Sequence, residues 1–217
     1  MAQGYLIGRP IHRTCHPLAM SRRRLLSLLG AVAVVAVLVI GLSQTKSDNS
    51  APKADSFDLA AAKRSLAGAP APLAALHDRS NTLIPADKQV YANEIKALAG
   101  HPIVVNKWAS WCGPCRGEFP VLQSTSAKYG KRVAFLGLNA SDNDGDASKF
   151  LSHFPVTYPS LVDRDSHIAQ SLGIGRNFPT TIYYDAHGKV QDVHQGPYTS
   201  DAKFAADIER YALGRPS

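Results

Sequence analysis

Apolar and polar residues alternate in short blocks from about His77 onward, and the blocks change period as they go. The stretch 86–100 repeats at helical spacing through Val90, Ile95 and Leu98, with Gly100 as its stop. Pro102 introduces Ile103-Val104-Val105-Asn106-Lys107-Trp108, which reads as a buried strand. A helix is predicted over 114–129, closed by Gly130, and a second continuous apolar strand over 133–138. Short helices follow at 147–154 and 166–172. The runs 180–184 and 190–193 read as strands joined by the turn Asp185-Ala186-His187-Gly188. A last helix is predicted over 202–213, with Phe204, Ile208 and Tyr211 on one face. This order predicts an α/β fold with a mixed central sheet flanked by helices.

The N-terminal third has a different character. Leu25 to Leu42 is an uncharged run of 18 residues. As a helix it would extend about 27 Å, close to the hydrocarbon thickness of a bilayer. Arg22, Arg23 and Arg24 precede it, which places the N-terminus on the cytoplasmic side and the chain after Thr45 outside. Two readings of the run stand: a retained signal anchor, which is favoured because no clean small-residue cleavage site follows, and a cleaved export signal. Ser21-Arg22-Arg23-Arg24-Leu25-Leu26 is similar to a twin-arginine export signal. Residues 43–76 are small, polar and rich in Ala and Pro, the composition of a tether. The expected organisation is a basic cytoplasmic tail (1–24), a transmembrane helix (25–42), an Ala/Pro-rich linker (43–76) and a folded domain (77–217).

Charge changes the picture only at the N-terminus. The 217 residues carry 24 Lys and Arg against 17 Asp and Glu. Five arginines and no acid lie in 1–24, so the rest of the chain has 19 basic residues against the same 17 acids. A basic nucleic-acid-binding face is therefore unsupported. With three cysteines, one of them (Cys15) ahead of the apolar run, the chain is no multi-disulfide scaffold.

The chemistry concentrates in Trp111-Cys112-Gly113-Pro114-Cys115, which follows a strand and opens a helix. A cysteine thiol near pKa ~8.5 is mostly protonated at neutral pH, and the thiolate is the reactive form. The unpaired amides and dipole of a helix N-terminus favour negative charge. Cys112 is thus expected to be acidified, exposed and attacking. Cys115, one turn further in, is expected to be more buried and to resolve a mixed disulfide. Pro114 suits the first helical turn, where a missing N–H costs nothing. A zinc site needs four ligands, and His77, His101, His153, His167, His187 and His194 lack ligand spacing, so no metal is assigned.

The segment from Val104 to Pro120, with Asn106, Trp108, Trp111, Cys112, Cys115, Glu118 and Phe119 in it, resembles the active-site segment of the TlpA/ResA-like thiol-disulfide oxidoreductases of the thioredoxin superfamily. Gly173 to Ile182 resembles the same family's cis-proline segment. The resemblance covers roughly residues 76–213 and implies a thioredoxin-like fold. It implies no cofactor beyond a redox-active Cys112–Cys115 disulfide, and a domain working outside the cytoplasmic membrane. By it, Pro179 is the cis-proline facing the dithiol. Phe178 would expose backbone to an extended client, as an added strand does. Trp111, Gly113 and Pro114 complete the client-binding surface. Glu118 corresponds to a glutamate that assists proton transfer at the thiols. A solvated surface acid is the competing reading of Glu118, and Asn106, which cannot titrate, tips the choice towards proton transfer. Lys107 departs from the apolar residue usual there and has no functional account in the sequence.

The expected activity is reduction of disulfides in exported client proteins, apocytochrome c during cytochrome c maturation among them, with recharging by a membrane electron donor. Gly113-Pro114 matches reducing thioredoxins, whose potential is near −270 mV, rather than strong oxidants near −120 mV. Two alternatives are a dithiol oxidase of exported proteins and a membrane-tethered metal-binding or copper-delivery module that uses both thiols as soft ligands.

Overall fold

The computed structural model describes residues 57–215. The basic tail, the apolar run 25–42 and the first part of the expected linker, 43–56, lie outside those residues. Among the described residues no helix is long and apolar enough to cross a membrane.

In chain order the elements are α1 (Leu59–Ser65), α2 (Ala71–Asp78), β1 (Leu83–Pro85), α3 (Lys88–Ala97), β2 (Ile103–Trp108), α4 (Gly113–Tyr129), β3 (Ala134–Ala140), α5 (Asp144–His153), β4 (Ser160–Asp163), α6 (His167–Ser171), β5 (Thr180–Tyr184), β6 (Val190–Gln195) and α7 (Asp201–Asp207). A π-helical turn over Ile208–Ala212 continues α7. Side chains start several helices. Asp58, Asp87 and Asn143 accept from the amides of Ala61, Val90 and Asp146 at 2.9, 2.8 and 2.9 Å.

The strands form one six-stranded sheet in the order β1-β4-β3-β2-β5-β6. β1, β4, β3 and β2 are parallel to one another, β5 runs antiparallel to β2, and β6 runs antiparallel to β5. All six residues of β2 are buried, as a central strand with both faces covered requires. Alternation sorts its side chains. Val104 and Trp108 join Phe119, Phe150 and Phe204 from α4, α5 and α7 in one apolar layer. Ile103 and Val105 join Leu73, Leu76, Tyr91 and Ile168 from α2, α3 and α6 in the other. The thioredoxin-like α/β architecture expected from the sequence is present in these residues.

The structure differs from the expectation in three places. First, the tether assigned to 43–76 contains α1 and most of α2, with a break between them at 66–70. Leu66, Leu73 and Leu76 are buried, and a Cβ on Gly130 would stand 2.8 Å from a methyl of Leu66. Pro72 sits in the first turn of α2, where proline starts a helix rather than breaking one. Second, β1 and β4 were absent from the sequence pattern; both are too short for periodicity to register. Third, the helix expected over 202–213 is α-helical only from Asp201 to Asp207 and continues as the π-helical turn Ile208–Ala212.

Candidate functional site

Strand β2 delivers the site and α4 receives it. Between them, Ser110 N–H and Oγ–H donate to Asp142 at 2.6 and 2.7 Å, and Asn139 Nδ2 donates to the same carboxylate at 2.8 Å. These bonds fix the turn that aims Cys112 into the helix start. Cys112 is the N-cap of α4, and the Cys115 amide donates to its sulfur at 3.1 Å. The two cysteines are joined as a disulfide, with Cα atoms 5.3 Å apart.

The expected exposure of Cys112 needs correction. Only 4% of Cys112 is accessible and none of Cys115. Bonding to Cys115 draws its sulfur into the layer that contains Trp108, Ala109 and Phe119, and Phe178 packs against that layer. The residues on either side, Trp111, Gly113 and Pro114, are exposed. Cys112 therefore sits at a surface rim, with Cys115 behind it.

Trp111 is 60% exposed and is held by its indole N–H, which donates to Ser141 O at 2.8 Å. Its ring centroid lies 5.0 Å from that of Phe178. The Phe178–Pro179 peptide bond is cis, and Pro179 leads directly into β5 beside β2. The residues singled out for client binding, Trp111, Gly113, Pro114, Phe178 and Pro179, thus gather at one end of the sheet with the disulfide.

Glu118 is fully buried, not a surface acid. Asn106 Nδ2 donates to its Oε1 at 2.6 Å, and the Tyr198 amide donates to its Oε2 at 3.0 Å. Asn106 Nδ2 also reaches Thr181 Oγ1 at 3.3 Å. Burial pushes the Glu118 carboxyl up to about 7, and the two hydrogen bonds oppose it. One helical turn separates Glu118 from Cys115, so both lie on the same side of α4. A carboxyl poised near neutrality can accept or return a proton at physiological pH.

Three contributors had no role assigned from the sequence. Asp142 lies in the loop after β3, and Tyr198 follows β6 by a turn; neither stands in a motif. The Tyr198 hydroxyl donates to Asp207 at 2.7 Å and accepts from Tyr183 at 2.7 Å, which locks the turn bearing the amide that meets Glu118. Lys107 is the third. It is fully buried, its Nζ donates to Ile174 O, and it lies 3.9 Å from the Phe178 ring centroid. Burial lowers its pKa to about 8, against the pull of Asp163. Among the described residues no group of three or more His, Cys, Asp or Glu is gathered as a metal ion would require.

A family model described as Redoxin matches residues 66–208. The thiol-disulfide oxidoreductase ResA of Geobacillus thermodenitrificans (strain NG80-2) is 31% identical over 103 residues, covering 47% of this chain and 59% of that protein. The thiol:disulfide interchange protein DsbE of Pseudomonas fluorescens biotype C is 36% identical over 100 residues, covering 46% of this chain and 54% of that protein. Among solved structures, MTB DsbF in its mixed oxidised and reduced forms superposes with a TM-score of 0.50 at 30% identity, covering 54% of this chain and 85% of that one. The chain spans little more than half the length of these two curated relatives. By the family model and these relatives, the chain belongs to the Redoxin family, in the TlpA/ResA-like branch of the thioredoxin superfamily.

Proposed function

We propose that this protein is a membrane-anchored, extracytoplasmic thiol-disulfide oxidoreductase that reduces disulfides in exported proteins, apocytochrome c among them. The observation that carries the chemistry is the sulfur of Cys112 at the N-cap of α4, accepting the Cys115 amide at 3.1 Å. An anion at that place is stabilised by unpaired amides, which suits Cys112 to be the attacking sulfur once the disulfide is reduced. The relatives' names, ResA thiol-disulfide oxidoreductase and DsbE thiol:disulfide interchange protein, support the reaction class. The uncharged run Leu25–Leu42 behind three arginines supports anchoring with the domain outside.

The reaction is a double displacement. Cys112 thiolate attacks one sulfur of the client disulfide; a Cys112–client bond forms and the other client sulfur leaves as a thiolate. Cys115 then gives its proton to Glu118 and attacks Cys112 Sγ. The client leaves with both sulfurs reduced, and the Cys112–Cys115 disulfide remains. Two electrons have passed from protein to client, and a membrane dithiol donor restores them. Glu118 suits the proton step because its pKa of about 7 allows both directions.

Cysteine replacement tests this reading. Cys112→Ser is expected to abolish turnover of a disulfide-bonded substrate. Cys115→Ser is expected to accumulate mixed disulfides through Cys112, recovered from the membrane fraction of the cell and identifying the clients. A wild-type chain that leaves client disulfides intact, with no adduct trapped by Cys115→Ser, would overturn the proposal.

A further inference from the structure

Lys107 stands where an apolar residue would fit. It occupies the middle of the sheet, between Leu138 of β3 and Thr180 of β5. Its strand neighbours on the same face, Ile103 and Val105, belong to the apolar layer with Leu138 and Ile182. Among the described residues no salt bridge joins it to an acid. Asp163, the carboxylate whose field it feels, has both oxygens committed to the amides of Ile168 and Ala169 at 3.0 and 2.8 Å. A buried ammonium without an ionic partner carries a large desolvation cost. An unbranched apolar side chain would fill the space without that cost. What it could not reproduce are two contacts, the hydrogen bond to Ile174 O and the cation–π contact with Phe178.

Both contacts reach one loop. Ile174 and Phe178 belong to the connection between α6 and β5, where the Ile174 amide donates to Ala169 O at 2.9 Å, Asn177 Nδ2 to Gln195 Oε1 at 2.6 Å and Thr180 Oγ1 to Asn177 O at 2.8 Å, bonds that leave the Phe178 side chain to other contacts. The loop carries the cis Phe178–Pro179 bond at its end, and Phe178 is half-buried against Trp111. The ammonium therefore lies under the loop while the client side of the same loop faces outward beside the disulfide.

We propose that Lys107 is a positioning residue for the client. From beneath the loop it pins Ile174 and Phe178, so that Phe178 and Trp111 form one aromatic ledge beside Cys112. The polypeptide flanking a client's disulfide lies on this ledge. The inference rests on the proposed function for its client, but the pinning itself does not depend on turnover. Lys107 acts on client affinity and leaves the thiol chemistry to Cys112, Cys115 and Glu118.

The test uses the full chain as wild type, Lys107→Met, Lys107→Arg and Phe178→Leu, with a disulfide-bonded peptide as substrate. Lys107→Met is expected to raise KM about tenfold with kcat changed by less than about twofold, the pattern of lost binding rather than lost transition-state stabilisation. Lys107→Arg keeps a cation over the ring and is expected to recover most of the lost affinity. Phe178→Leu keeps apolar bulk and the lysine, and is expected to raise KM likewise, which preserves the test should Lys107→Met fold poorly. Hydrogen exchange is read in parallel: the amides of 174–181 should exchange about tenfold faster in Lys107→Met, with those of β3 unchanged. An unchanged KM, a fall in kcat at constant KM, or unaltered exchange in that loop would overturn the inference. A wild type that reduces no disulfide peptide would instead overturn the proposed function, with the exchange measurement still deciding the pinning.

Discussion

Glu118 is an acid in a place that disfavours charge, and its stability consequence has a definite sign. Its carboxyl titrates near an ordinary 4.5 in the unfolded chain and is pushed up to about 7 by burial in the folded one. Between those values the folded state holds the proton more tightly, so stability falls as pH rises from about 4.5 to about 7 and stays lower above. The difference is about 3 kcal/mol. Glu118→Gln removes it: urea unfolding of this variant between pH 5 and 8 should lose the slope that the wild type shows, and the disulfide-reducing activity proposed above should lose an inflection near pH 7. Asn106 suits both states of the acid. It donates Nδ2 to the carboxylate, while its buried Oδ1 has no partner. Turned by half a rotation about its terminal bond, the amide would offer that oxygen to a protonated Glu118. The sequence exposed this pair only in part: Asn106 pointed away from itself as a base, but neither its bond to Glu118 nor the burial of both follows from spacing. Lys107 was least legible of all, since a lysine in an apolar strand reads as an edge or snorkelling residue until the loop above it is seen.

At the scale of elements, close approach governs how the site is held. Trp108 Nε1 donates to Ser160 Oγ at 3.1 Å across the β3 strand, where Gly137 lies between them. A Cβ on Gly137 would stand 2.0 Å from Ser160 Oγ and 3.0 Å from Trp108 Nε1. Gly137→Ala should therefore cost about 1–3 kcal/mol by overpacking, measured as a lower urea midpoint with an unchanged slope. An unchanged midpoint would mean that Ser160 can turn away without loss. The long elements were legible because they repeat a period. Ile103–Trp108 and Thr180–Tyr184 have the bounds expected, and α4 begins one residue earlier than expected. The short ones were not. Leu83-Ile84-Pro85 has three residues, one of them proline, and Ser160–Asp163 has two apolar residues between polar ends. Both become strands only because β3 and β4 offer them backbone partners, a tertiary cause that composition does not carry.

For the whole molecule, α1 and α2 belong to the packed unit. Leu66, Leu73 and Leu76 are buried, and Arg79 closes the same corner with two bonds to Glu94 at 2.7 and 2.9 Å. Burial of one such leucine contributes about 1.5–3 kcal/mol, a large part of the 5–15 kcal/mol typical of a domain. A fragment of residues 77–217 should unfold at a clearly lower urea concentration than one of residues 57–217, and equal midpoints would show α1 and α2 to be dispensable. The Ala and Pro content that marked this stretch as a tether was real, but three well-spaced leucines outweigh it. The far end of the chain has a reach of its own. Tyr198 ties Asp207 on α7 to the amide that steadies Glu118. A copy whose C-terminal helix has come undone, by heat or by a clipping protease, surrenders that amide and with it the tuning of its acid. The last helix of the chain and the acid one turn from Cys115 are thereby ends of a single hydrogen-bonded line, and unwinding the first loosens the second.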